Sequence, residues 1–159
     1  GANSLPRIFR DKSKAGHMVE ISLRKARTII RKTIEKGREM ELKPLAVVVL
    51  DAGGNVKAFE RQDDAAPGRF AIAHGKAYGA VMLGMSGSAQ KARAEEQAYF
   101  MQALNGVYGG QVIPVPGGFL IKDKRDRIIG AVGVTGDTSD NDAIAGLAGV
   151  EAAGLAGVI

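Results

Sequence analysis

Residues 113–142 constrain this chain more than any other stretch. They read Ile-Pro-Val-Pro-Gly-Gly-Phe-Leu-Ile-Lys, then a charged turn, then Ile-Ile-Gly-Ala-Val-Gly-Val-Thr-Gly and Asp-Thr-Ser-Asp-Asn-Asp. Phe119, Ile121, Ile129, Ala131 and Val134 are spaced for strands, and residues 122–127 form a solvated turn between them. The pattern predicts a β-hairpin that runs into a glycine-lined loop and a helix start. Glycines at 117, 118, 130, 133 and 136 leave room for close approach of backbone or ligand. The upstream elements are then expected to pack against this hairpin.

Those elements follow from periodicity. Residues 22–40 fit an amphipathic helix capped by Ser22, with Leu23, Ala26, Ile30, Ile34 and Gly37 on one stripe, widened by Ile29 and Thr33. Its Lys and Arg residues make a solvated opposite face. Residues 45–50 and 56–61 flank Asp51-Ala-Gly-Gly-Asn55 as strand, turn and strand. Residues 69–83 return to helix, with Phe70, Ala73, Ala77, Ala80 and Val81 near one face. Gly75, Gly79 and Gly84 each cost a helix about 1 kcal/mol, which close packing of another backbone would offset. Residues 88–104 predict one further helix, with Ala92, Tyr99, Phe100 and Ala103 inward and Asn105-Gly106 as its end. Thr138 or Ser139 caps a last helix, and Ser139 to Asp142 has capping-box spacing. From 143 to 156 that helix is apolar on all sides, which implies that a partner subunit covers one face. The order of elements predicts an α+β fold, one antiparallel sheet with helices against it.

Length and composition exclude several classes. The chain of 159 residues suits a single domain, 18–159. It has no cysteine, which removes disulfides, thiolate metal sites and a cysteine nucleophile. Residues 1–17 lack apolar periodicity, and Gly16-His17-Met18 reads as the scar of an expression tag, with Met18 the expected natural start. That leader carries Arg7, Arg10, Lys12 and Lys14 against Asp11, so without it the formal charge falls from +5 to +2. No basic stripe with interleaved aromatics points to nucleic acid. No membrane span or secretory signal is visible, and a cytoplasmic protein is expected.

Candidate functional residues are few. His74 is the one histidine outside the leader, and Tyr78 shares its helix face at i+4. As neutral imidazole it is a candidate axial haem ligand or a general base. Lys76 is either a snorkelling surface lysine or a cation for a carboxylate or propionate. Arg61, beside Asp63 and Asp64, is either part of a surface cluster or lines a cleft. Asp137, Asp140 and Asp142 either cap the last helix or form an acidic rim. The glycine runs match neither a phosphate loop nor a dinucleotide fingerprint, and no nucleophile elbow is present.

Several segments in order resemble the GlcG/HbpS family, also labelled haem-degrading, which includes PduO-type C-terminal domains. They are Val47-Val-Val-Leu-Asp51-Ala-Gly-Gly-Asn-Val, Arg61-Gln-Asp63-Asp-Ala65 and Ala73-His-Gly-Lys76-Ala77. Pro116-Gly-Gly118, Ile129-Gly130-Ala-Val-Gly133-Val-Thr-Gly136 and Asp142 complete the pattern. The resemblance implies a profilin-like or PAS-like fold with about five antiparallel strands, and oligomers built from dimers. It also implies haem binding in some members. Three readings follow. The first is a protein that binds haem or a related tetrapyrrole, with His74 or Tyr78 at the iron and Lys76 or Arg61 at the propionates. Gly117, Gly118 and Gly136 would then lie beside the ligand. The second is a catabolic enzyme of isomerase, lyase or tautomerase type acting on a carboxylate. There Arg61 or Lys76 would hold the acid, and His74, Lys76 or Asp142 would move a proton. The third is a non-catalytic homo-oligomeric accessory protein assembled through the last helix.

Overall fold

The computed structural model describes residues 19–159. The leader expected over residues 1–17, and Met18, lie outside the described residues. Helix α1 (Leu23–Glu39) leads into strands β1 (Ala46–Asp51) and β2 (Val56–Arg61), then helix α2 (Arg69–Leu83). Helices α3 (Gly87–Glu96) and α4 (Ala98–Val107) precede strands β3 (Gly118–Lys122) and β4 (Ile128–Thr135). Helix α5 (Ser139–Ala152) and strand β5 (Ala156–Val158) end the chain. The five strands form one antiparallel sheet in the order β2-β1-β4-β3-β5. This is the α+β fold predicted.

Strand alternation builds two cores, one on each face of the sheet. Val47 and Val49 of β1 pair across to Val134 and Val132 of β4, and these side chains join Phe119 and Ile121. That face is covered by Ile29, Ile30 and Ile34 of α1 and by Ala145 and Val150 of α5. The other face presents Val48, Leu50, Leu120 and Ala131 to Ala73, Ala77 and Ala80 of α2. Full burial of a side chain such as Phe119 is worth about 1.5–3 kcal/mol.

Two glycines decide how α2 sits. Gly118 and Gly133 are cross-strand partners. A Cβ on Gly118 would stand 2.1 Å from the Lys76 carbonyl oxygen, and one on Gly133 2.0 Å from that of Ala73. The helix therefore lies directly on the sheet backbone, and the close approach expected of the hairpin is made by a protein element. The glycines inside α2 meet the following segment in the same way. A Cβ on Gly75 would stand 2.8 Å from the Gln111 carbonyl oxygen, and the Ile113 N–H bonds Gly75 O at 3.2 Å.

Several expectations are corrected. Leu23 begins α1 but is 44% exposed, because the helix starts beyond the edge of the sheet core. The single helix over 88–104 is two, broken at Gln97, whose backbone (φ −136°, ψ 60°) leaves the helical region. Ala92, Tyr99, Phe100 and Ala103 face outward, since among the described residues no element covers this side of the α3–α4 hairpin; Met101 is the buried residue of α4. Asn105-Gly106 lies within α4, and the left-handed residues come later, at Gly109 and Gly110. Helix α5 stops at Ala152, short of the expected residue 156; residues 153–155 turn the chain into β5, which pairs with the edge of β3. One side of α5 packs on α1, where a Cβ on Gly149 would meet Thr33 Oγ1 at 2.1 Å. Its other side leaves Ile144 half exposed, so a single chain does not bury this helix all round. Among the described residues, no helix is long and apolar enough to cross a membrane.

Candidate functional site

Helix α2 separates the candidate residues onto opposite sides. Toward β4 it sends Lys76, and on its β2 flank it carries His74.

Lys76 is buried, and its ammonium donates to Asp142 Oδ2 at 3.1 Å and to Val134 O at 3.0 Å. Asp142 is buried too, and its Oδ1 accepts from the Asp137 N–H at 3.0 Å. Burial pushes the Lys76 amine below its ordinary value and the Asp142 carboxyl above its own, and in each case the partner's charge opposes the shift. The lysine thus ties α2 to the start of α5 and to β4. The expected snorkelling surface lysine is not observed.

The α5 start is a closed hydrogen-bond system. Thr138 is the N-cap and accepts from the Asn141 N–H at 3.2 Å, so the box expected from Ser139 to Asp142 does not form. Asp137 accepts from Asn141 Nδ2 at 2.9 Å and from the Lys43 N–H at 3.0 Å. The Asn141 bond first, then the Lys43 bond, hold its carboxyl down at about 2. Asp137 and Asp142 thus serve the helix start, and Asp140 alone of the three is exposed.

The glycines once placed beside a ligand are filled from within. A Cβ on Gly117 would meet Val134 O at 2.7 Å and Lys76 Nζ at 3.0 Å. One on Gly136 would meet Pro44 O at 2.2 Å. Gly117 (φ +109°) and Gly136 (φ +141°) adopt backbone that side chains rarely permit, which is why glycine stands there. With Gly118 under Lys76, all three give room to protein and not to a ligand.

On the β2 flank of α2, Phe70, His74 and Tyr78 recur every four residues and form a ladder. His74 stacks on Tyr78 with centroids 5.3 Å apart and 19° between planes, and lies 5.7 Å from Phe70. Phe59 of β2 meets Phe70 edge-on at 4.8 Å. Phe70 is 41% exposed, and His74 and Tyr78 are half-buried. Phe59, Phe70 and Tyr78 thus gather three of the eight Phe and Tyr residues of the chain. Burial lowers the His74 pKa from 6.5, so the imidazole is neutral at pH 7. A neutral ring nitrogen at a partly open apolar surface can donate its lone pair to a metal or accept a proton.

Arg61 lies two residues beyond Phe59, on the same face of β2. It is exposed, and it donates to Ala65 O at 2.5 Å. Lys76 and Arg61 do not converge: one is inside on Asp142, the other outside on its own loop. The two cations therefore form no joint carboxylate clamp, and Lys76 already holds the carboxylate of Asp142. Arg69, just before Phe70, bonds Thr135 Oγ1 at 3.0 Å. Sequence reasoning missed Phe70 as a neighbour of His74, and Phe59 as the ring behind Phe70. The i, i+4, i+8 spacing of Phe70, His74 and Tyr78 was the signal available. Among the described residues, no group of three or more His, Cys, Asp or Glu could hold a metal ion. A metal here would have to arrive with most of its own ligands, as haem iron does.

Comparison with known proteins agrees with this fold. The model of the HbpS-like family, described as haem-degrading, matches residues 21–151. No curated protein matches. Among solved structures, a PduOC:heme complex is similar with a TM-score of 0.75 at 21% identity, over 84% of this chain and 94% of that one. Klebsiella pneumoniae protein ORFY gives 0.77 at 22% identity, over 89% and 96%. HbpS gives 0.71 at 23%, over 87% and 94%. At these identities the likeness establishes a shared fold.

Proposed function

We propose that this chain, which belongs to the haem-degrading HbpS-like family, binds haem or a related tetrapyrrole on the half-exposed flank of α2 beside β2. The observation that carries the reading is the ladder Phe70–His74–Tyr78, with a neutral imidazole between two aromatic rings. His74 supplies the axial nitrogen. Phe70 and Tyr78, with Phe59 behind them, supply the apolar surface against which the macrocycle lies. Arg61, on the face of β2 that carries Phe59, and Arg69 at the head of the ladder supply cations for the propionates. The bound group would bring redox-active iron to the site. Lys76 takes no part in ligand contact; its role is to fix α2 on the sheet so that His74 faces outward. The PduOC:heme complex, a neighbour in fold, supports the choice of ligand.

The half-exposed ladder covers one side of a planar ligand only. A second chain would cover the other, and the open side of α5 around Ile144 offers a surface for self-association. Titration of the protein with hemin tests the ligand: a saturable Soret shift at fixed stoichiometry is expected, and its absence removes the reading. Light scattering tests the assembly, which a stable monomer contradicts.

A further inference from the structure

A second surface, on the α1 side of the sheet, has the form of a peptide groove. Among the described residues, strand β2 is the outermost strand on its side of the sheet and pairs only with β1. Along this edge α1 exposes Arg24, Arg27, Arg31 and Arg38. With Ile34 and Glu60 they line an open groove of about 830 Å³. A smaller cavity of about 270 Å³ shares Ile34, Arg38 and Glu60 and continues the groove to Arg61. Among the described residues, none of the four arginines is in an ion pair. Glu35 also lines the groove, but Lys32 binds it at 3.0 Å. Four guanidinium groups therefore face two carboxylates, Glu60 and the Lys32-paired Glu35.

The two walls match in length. Arg24 to Arg38 spans about 21 Å of helix at 1.5 Å per residue, and six residues of strand cover about 20 Å. The edge also has free donors. Gln62 donates its N–H to Leu45 O at 2.9 Å. Main-chain direction alternates along an antiparallel strand, so the N–H groups of Phe59 and Arg61 point away from β1. An edge strand beneath a flanking helix takes an extended peptide as an added strand, through main-chain bonds on one side and side-chain contacts on the other.

We propose that the free edge of β2 accepts an extended acidic segment of a partner protein as a sixth strand, its carboxylates paired with the arginines of α1. A second copy of β2 fits poorly. Its Lys57 and Arg61 outnumber Glu60, and it would bring its own arginines against these. A nucleic-acid backbone would leave the strand edge without main-chain partners. The proposal does not rest on haem binding, although both surfaces use β2 through Phe59 and Arg61.

The probe is a fluorescein-labelled peptide of about nine alternating glutamates and valines, long enough to span β2. Fluorescence anisotropy should show saturable binding that weakens about tenfold or more when Arg27→Glu and Arg31→Glu are combined. Arg27→Gln with Arg31→Gln should weaken it less. Hydrogen exchange should slow at the Phe59 and Arg61 amides when the peptide is bound. The proposal is overturned by no binding, by equal binding of a lysine-for-glutamate peptide, or by binding without protection at those two amides. It is also overturned if the two amides gain protection with rising protein concentration alone, the mark of a second copy. Tighter binding of single-stranded DNA or of anionic vesicles overturns it as well.

Discussion

The Lys76 ammonium lies 3.1 Å from the Asp142 carboxylate, and neither side chain is more than 3% exposed. Removing one partner leaves a buried charge without its counterion, at a cost of about 3–5 kcal/mol. Lys76→Met and Asp142→Ala are each expected to lower stability by that order in urea unfolding. Combining Lys76→Met with Asp142→Leu should recover most of the loss. Equal, additive losses would contradict the coupling.

Gly118→Ala should destabilise the fold without touching a polar group. The new Cβ would stand 2.1 Å from the Lys76 carbonyl oxygen, so α2 must lift from the sheet. Overpacking of this kind costs about 1–3 kcal/mol or more. Gly106→Ala, where a Cβ meets nothing within 4 Å, is the control and should stabilise α4 slightly. Thermal melts of the two variants check the pair.

Asp137 predicts an acid limb of stability. Its folded pKa of about 2 lies below the ordinary 3.8, so its contribution is present above pH 3.8 and is lost as pH falls through about 2. Asp137→Ala should flatten this part of the stability–pH curve relative to wild type. An unchanged slope would contradict the bonds to Asn141 and Lys43.

His74 predicts a second pH dependence. Burial lowers its pKa from 6.5, so its stability contribution is present above pH 6.5 and is lost as pH falls through the folded value. Hemin affinity should follow the same titration, since a protonated imidazole cannot bind iron. NMR titration of the imidazole protons, assigned by difference with His74→Gln, should give a midpoint below 6.5.

The parts of the molecule legible in sequence are those governed by local signals. Helix α2 occupies the predicted residues 69–83, because Gly68 and Gly84 bound it and its alanines recur at helical spacing. The hairpin of β3 and β4 was legible from its charged turn. The break at Gln97 was not, since neither proline nor glycine marks it. Strand β5 was hidden because Ala-Gly-Val carries no strong strand preference; the open edge of β3 recruits it. Tyr99 and Phe100 have the spacing of an inward stripe, but no element lies over them. The candidate site divides the same way. The His74–Tyr78 pair is local and was visible at i, i+4. The Lys76–Asp142 pair joins residues 66 apart in the chain, and only tertiary packing reveals it.

The central claim is that His74 binds haem iron from the aromatic face of α2. The most direct measurement is a hemin titration of wild type and His74→Ala followed by the Soret band. The account predicts a saturable shift in wild type, its loss in His74→Ala, and its return when free imidazole is added to the variant. An identical, saturable shift in both proteins would contradict it.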